Sequence, residues 1–197
     1  MQKLIGMLVA NDIIQKQDEE IYLFGLECLL LKIWNLTSFL IIAILMGRPG
    51  EFLIFSIIYS FLRNNAGGFH AKTRLHCYIL SCLQVVITLM TAGRICEAGG
   101  LLSILIYGSL LAFHLASQVL IWRLAPIDNA NKPLDEDECR YYRKRVRIYL
   151  MVLDLFLVLS AILQWNMVWV MICLSCIEEA VMLLLQNRRN KNRFLEI

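Results

Sequence analysis

A histidine and a cysteine seven residues apart, His70 and Cys77, lie in the stretch RNNAGGFHAKTRLHC at residues 63–77, between two strongly apolar runs. A thiol becomes a useful nucleophile when a neighbouring base or positive charge favours its thiolate. Lys72 and Arg74 supply charge nearby, and His70 and His76 are the two candidate bases. His76 adjoins Cys77, and adjacent side chains on a helix diverge. His70 returns to the Cys77 face after seven residues, but a straight helix would separate the two by about 10.5 Å, beyond hydrogen-bond reach. A working pair therefore requires a bent or unwound backbone, which the glycines at 67 and 68 permit. The expectation is a Cys77 nucleophile with His70 as base; the plainer alternative is a packing cysteine at the head of a span, beside a loop basic only for orientation.

The elements that must hold these residues are apolar. Of 197 residues 59% are hydrophobic and 18% charged, too much apolar surface for a soluble domain of this length to hide. The apolar residues fall into six runs, about 28–46, 50–62, 77–93, 99–122, 146–164 and 166–187, which predict an all-α integral membrane protein of one domain with six transmembrane helices. The run at 50–62 is short enough that a partial or re-entrant span is the alternative. Ahead of them, residues 1–25 place Leu4, Ile5, Leu8, Val9 and Ile13 on one helical face with Lys3, Asp12 and Lys16 interleaved. That pattern suits an interfacial amphipathic helix better than a signal peptide. Of the 19 Lys and Arg, all but Arg48, Arg94 and the intraspan Lys32 fall in the termini and even-numbered connections, so the positive-inside rule puts both termini and the 63–77 segment in the cytoplasm.

Other polar features are less specific. The seven cysteines do not form a disulfide framework, since most sit in apolar runs and Cys139 sits in a cytoplasmic loop. Cys173-x-x-Cys176 lies within a continuous apolar helix and reads as packing. No metal site is expected from three scattered histidines, and no cofactor is implied. Lys32, His114, Asp154, Glu178 and Glu179 fall inside spans, where such groups either line a polar cavity or pair between helices. In the loop RLAPIDNANKPLDEDECRYYRKRVR, Pro126 and Pro133 with Asp128 and Asn129 favour turns. Its basic end is either an orientation anchor or a set of cations, Arg140, Arg143, Lys144 and Arg145, that grips an acidic peptide. Lipid headgroups account for such a patch better than nucleic acid does.

The stretch RNNAGGFHAKTRLHC closely resembles the signature of the accessory gene regulator B (AgrB) family, membrane cysteine endopeptidases that process quorum-sensing propeptides. The family order of arginine, glycine pair, histidine and cysteine is met by Arg63, Gly67, Gly68, His70 and Cys77, and LAPIDNANKPLDEDE resembles the family's loop ahead of the fifth span. The resemblance implies a bacterial cell-membrane enzyme, a homodimer, that cuts an amphipathic propeptide of the AgrD type near its C-terminal side. It implies that Cys77 carries the retained part as a thioester until a peptide side chain closes a thiolactone or lactone. His70 would be the base that also protonates the leaving amine, Arg63, Gly67 and Gly68 would support site geometry or the oxyanion, and Lys72 and Arg74 would contact substrate. Oxyanion donors are expected from backbone N–H groups around the glycines or from Cys77 itself, and no third triad member is evident. A rival from another class is a small membrane transporter or scaffold that uses the intramembrane acids, with the His/Cys pair incidental.

Overall fold

Apolar periodicity, capping residues and glycines divide the described residues into seven α-helices. The computed structural model describes residues 2–11, 13–71, 73–128 and 134–195. The helices are α1 Gln2–Ala10, α2 Glu19–Leu45, α3 Pro49–Ala66, α4 Arg74–Glu97, α5 Gly100–Leu124, α6 Glu136–Ile162 and α7 Asn166–Leu195, with a 3₁₀ turn at Lys16–Asp18 before α2. No strand occurs among the described residues. Proline opens α3, where its missing N–H costs nothing. Thr73 caps α4 by accepting from the His76 amide. Asp135 and Glu138 cap α6 reciprocally, the Glu138 amide lying 2.7 Å from Asp135 Oδ1; each device satisfies amides that a helix start leaves unpaired. Asn129 and Pro133, two of the expected turn residues, lie outside the described residues.

Helix α7 forms the axis of the bundle, packed by α5, α3, α6 and α4; α2 lies against α4 and α3, and α1 against α2. Leu62, Leu89, Ile121, Leu150, Met171 and Leu183 form the tightest part of the core. Large apolar side chains also cover the outside: Leu101 is 74% exposed and Ile57 and Ile162 are each 71% exposed. Continuous apolar surface on that scale marks a face that meets something other than water.

Among the described residues, four helices are long and apolar enough to cross a membrane: α2 (with the turn before it), α4, α5 and α7. Helices also occupy the other two expected spans, but the last turn of α3 is polar (Arg63, Asn64, Asn65), and α6 carries Arg145, Arg147 and Asp154 in or beside its apolar part. The N-terminal expectation needs correcting. Instead of one interfacial helix over 1–25, α1 stops at Ala10 and α2 already starts at Glu19. Asn11 lies just past the end of α1, its amide and its side chain both donating to Met7 O, at 3.1 and 2.7 Å. Ile13 is 67% exposed while Ile14 and Ile5 are buried. Asp12 lies outside the described residues.

Candidate functional site

The ends of α3 and α4 create the site. Helix α3 terminates at Gly67, whose φ of 82° and ψ of −148° fall in a region almost confined to glycine. Gly68 follows at φ 127°, so the helix does not continue over residues 68–71, and Thr73 caps the start of α4. This is the break that a His70/Cys77 pair requires. Both side chains line one cavity of about 150 Å³, together with Tyr59, Arg63, Ser81 and Met182. His70 lies at its rim and Cys77, half-buried, in the first turn of α4.

Two helices and a loop fix this segment. Arg63 Nη1 donates to Gly67 O at 2.9 Å and its Nη2 to Phe69 O, so one guanidinium ties down both ends of the turn. The φ of Gly68 is one that residues with a Cβ rarely adopt, and a Cβ there would also displace that guanidinium. From α7, Met182 O accepts the Phe69 amide at 3.1 Å, and Arg189 Nη1 donates to His70 O at 2.8 Å while its charge lies 5.7 Å from the Phe69 ring. From the α5–α6 loop, the Ile127 amide donates to Ala66 O at 2.9 Å, and Ile127 pairs with Gly67 in an isolated bridge. A Cβ on Gly67 would sit 2.7 Å from Ile127 O. The glycine motif and the proline-containing loop, far apart in sequence, therefore meet at this bridge.

Partial burial, and then the Arg63 charge beside it, hold the His70 imidazole below its ordinary pKa. A neutral imidazole at physiological pH can accept a proton. The backbone donors expected for an oxyanion are largely committed: the amides of Gly67, Phe69 and Cys77 donate to Arg63 O, Met182 O and Thr73 O. Polar side chains do reach the cavity, notably Ser81 and Gln84, one and two turns beyond Cys77 on α4. Gln84 Nε2 donates to Glu178 Oε2 of α7 at 2.5 Å, and Thr88 donates to the same carboxylate. Behind them Glu179 is fully buried, with neither carboxylate oxygen hydrogen-bonded among the described residues, and lies within electrostatic reach of Arg63 and Tyr59.

The remaining sequence candidates are dispersed. Arg74 lines an adjoining groove and Lys72 lies outside the described residues. Arg140, Arg143, Lys144 and Arg145 line neither the cavity nor the groove. Arg140 pairs with Asp137 at 2.7 Å, Arg143 donates to the Cys139 thiol at 3.6 Å, and Arg145 stacks on Phe61 and Tyr141. Of the intraspan groups, His114 approaches Asp154 at 3.3 Å across α5 and α6, whereas Lys32 makes no ion pair among the described residues and lines the groove. Cys173 and Cys176 are buried in α7 as free thiols. Sequence reasoning missed Tyr59, Ser81, Gln84, Met182 and Arg189. The i, i+4, i+7 spacing of Cys77, Ser81 and Gln84 was a usable signal; the α7 contacts had none.

Fold and site together define a helical protein with several helices fit to cross a membrane and a His/Cys cavity where two of its helices meet. The accessory gene regulator B family profile matches residues 1–183, and the chain belongs to that family. It is 24% identical over 172 residues to an AgrB-like protein of Clostridium perfringens (strain SM101 / Type A), covering 86% of this chain and 79% of that protein. An AgrB-like protein 2 of Clostridium perfringens (strain 13 / Type A) matches with the same identity and coverage. No solved structure matches.

Proposed function

We propose that this chain is a cysteine endopeptidase of the cytoplasmic membrane that cuts an amphipathic AgrD-type propeptide and lets its retained part cyclise. The observation that carries the reading is that His70 and Cys77, which no straight helix could bring together, line one small cavity while His70 is kept a neutral base. His70 takes the Cys77 proton, and the thiolate adds to the scissile carbonyl. The C–N bond breaks as His70 returns that proton to the leaving amine, leaving a thioester on Cys77. A thiol or hydroxyl of the bound peptide then attacks the thioester, its proton passes through His70 to Cys77, and the macrocycle leaves.

Hydrolysis of the thioester would waste the product, so exclusion of water matters as much as nucleophilicity. Phe69, Leu80 and Met182 in the cavity wall serve this purpose. The sharing of Arg63 between two backbone carbonyls holds the His70 segment in place before substrate arrives, which removes that ordering cost from the reaction. A six-span topology with both termini inside fits the helices: α3, at 18 residues, is about 27 Å long, close to the roughly 30 Å hydrocarbon thickness. The chain would act as a homodimer, as the family resemblance implies.

The test is co-expression with an AgrD-type propeptide and intact-mass analysis of the purified protein. A hydroxylamine-labile adduct on Cys77 that Cys77→Ala abolishes and His70→Ala suppresses supports the proposal. Propeptide cleaved equally by Cys77→Ala would end it.

A further inference from the structure

A second, larger space adjoins the His/Cys cavity. A groove of about 700 Å³ runs between α2, α3 and α4 and shares Tyr59, Arg63, His70, Ser81 and Gln84 with the smaller cavity. Cys77 lines only the cavity, whereas His70 lines both. In the reaction proposed above, the acyl carbon must lie at Cys77 and the leaving nitrogen at His70, because His70 protonates it. Chain on the leaving side of the scissile bond therefore departs past His70, and the groove begins there.

The lining defines what this exit accepts. Leu36, Phe39, Phe52 and Phe55 make an apolar wall, and Lys32, Arg63 and Arg74 add three cations. No Asp or Glu is among the described lining residues. Arg63 is occupied with backbone carbonyls, but Lys32 and Arg74 are exposed and make no ion pair among the described residues. An unpaired lysine on a membrane-crossing helix calls for an anionic partner or a polar cavity. The volume is in the range of pockets that enclose a compact ligand.

We infer that the α2–α3–α4 groove is the binding site for the leaving segment of the substrate, an apolar peptide carrying carboxylates that Lys32 and Arg74 recognise. The inference rests on the endopeptidase reading for its direction and assigns leaving-side selectivity to this groove rather than to the α6 arginines. It also gives Lys32 a role. After the C–N bond breaks, the new amine lies beside His70, and retention of the segment keeps water from the thioester until the ring closes.

The test uses the full chain with Cys77→Ala, in lipid nanodiscs, so that binding is read without turnover. Two synthetic octapeptides of Leu and Phe with a central benzophenone serve as probes: one has two Glu and a free C-terminal carboxylate, the other two Gln and a C-terminal amide. The acidic probe should photocross-link to α2 and α3 residues of the groove at about tenfold lower concentration than the neutral one, the scale of one charge-assisted contact. Lys32→Gln with Arg74→Gln should erase that preference, and Lys32→Arg should keep it. Equal cross-linking by both probes would mean a lipid-like apolar slot, and cross-links at residues 140–145 would move the site to α6; either result overturns the inference. If adduct formation on Cys77 fails while acidic-probe binding persists, the catalytic reading falls separately from the groove.

Discussion

Replacing Gly67 with alanine probes the joint on which the site depends. At φ 82° and ψ −148° a residue with a Cβ is strained by about 1–3 kcal/mol. Its Cβ would also lie 2.7 Å from Ile127 O, too close to a backbone atom for any rotamer to relieve. The α5–α6 loop must then move away, and the Ile127 N–H to Ala66 O bond of 2.9 Å is lost, at about 1 kcal/mol. Together these shift the docked joint toward its open form by about 2–4 kcal/mol, or roughly 30- to 900-fold. Hydrogen exchange resolved by mass spectrometry reads this directly, because local opening sets the exchange rate of amides such as Ile127. Peptides covering 63–71 and 125–128 should exchange faster by that factor in Gly67→Ala, while the middle of α7 stays protected. The Cys77 reactivity that depends on His70 should fall in parallel. Unchanged exchange at Ile127 would refute the claim that a glycine without a Cβ is what lets the two segments meet.

Other expectations follow from the same contacts. Arg63→Gln removes a cation that disfavours imidazolium at His70, so the His70 pKa rises and the acidic limb of Cys77 reactivity moves to higher pH; a limb that stays put or moves lower contradicts the assignment. Arg189→Gln removes the charged donor to His70 O, and the His70-dependent rate should drop about tenfold with the thermal midpoint of the solubilised protein little changed. Arg189→Lys should recover part of that rate, and full activity in Arg189→Gln would show that α7 does not position the histidine. Thr73→Ala deletes the α4 cap, worth about 1 kcal/mol, and should raise exchange at residues 74–77 about fivefold. Thr73→Ser should behave as the parent protein, and equal exchange in both variants would deny the cap.

The parts of this architecture readable from sequence are those set by local pattern. Apolar runs located the six long helices. The seven-residue spacing of His70 and Cys77, too long for a straight helix, together with Gly67 and Gly68, required the break that α3 and α4 show. Features that depend on long-range contact could not be read this way. Arg189 and Met182 hold the His70 segment from a helix more than a hundred residues away, and nothing in their own neighbourhood signals it. The Gly67–Ile127 bridge links two motifs that sequence shows only as separate matches. The N-terminal pattern misled because apolar spacing continues through Ile13 although the helix itself stops at Ala10. Expected oxyanion donors proved engaged because carbonyls of α3, α7 and the α4 cap accept them, leaving the α4 face of Ser81 and Gln84 as the polar wall of the cavity.

The central claim is that His70 activates Cys77. The most direct measurement is the alkylation rate of each cysteine against pH, resolved by mass spectrometry, in the solubilised full chain with and without His70→Ala. The account predicts that Cys77 reacts fast near neutral pH, where an ordinary thiol is mostly protonated, that its rate falls on acidification at a lower pH than an unperturbed histidine would give, and that His70→Ala abolishes the advantage. Cys77 reacting no faster than Cys28 and Cys139, with or without His70, would contradict it.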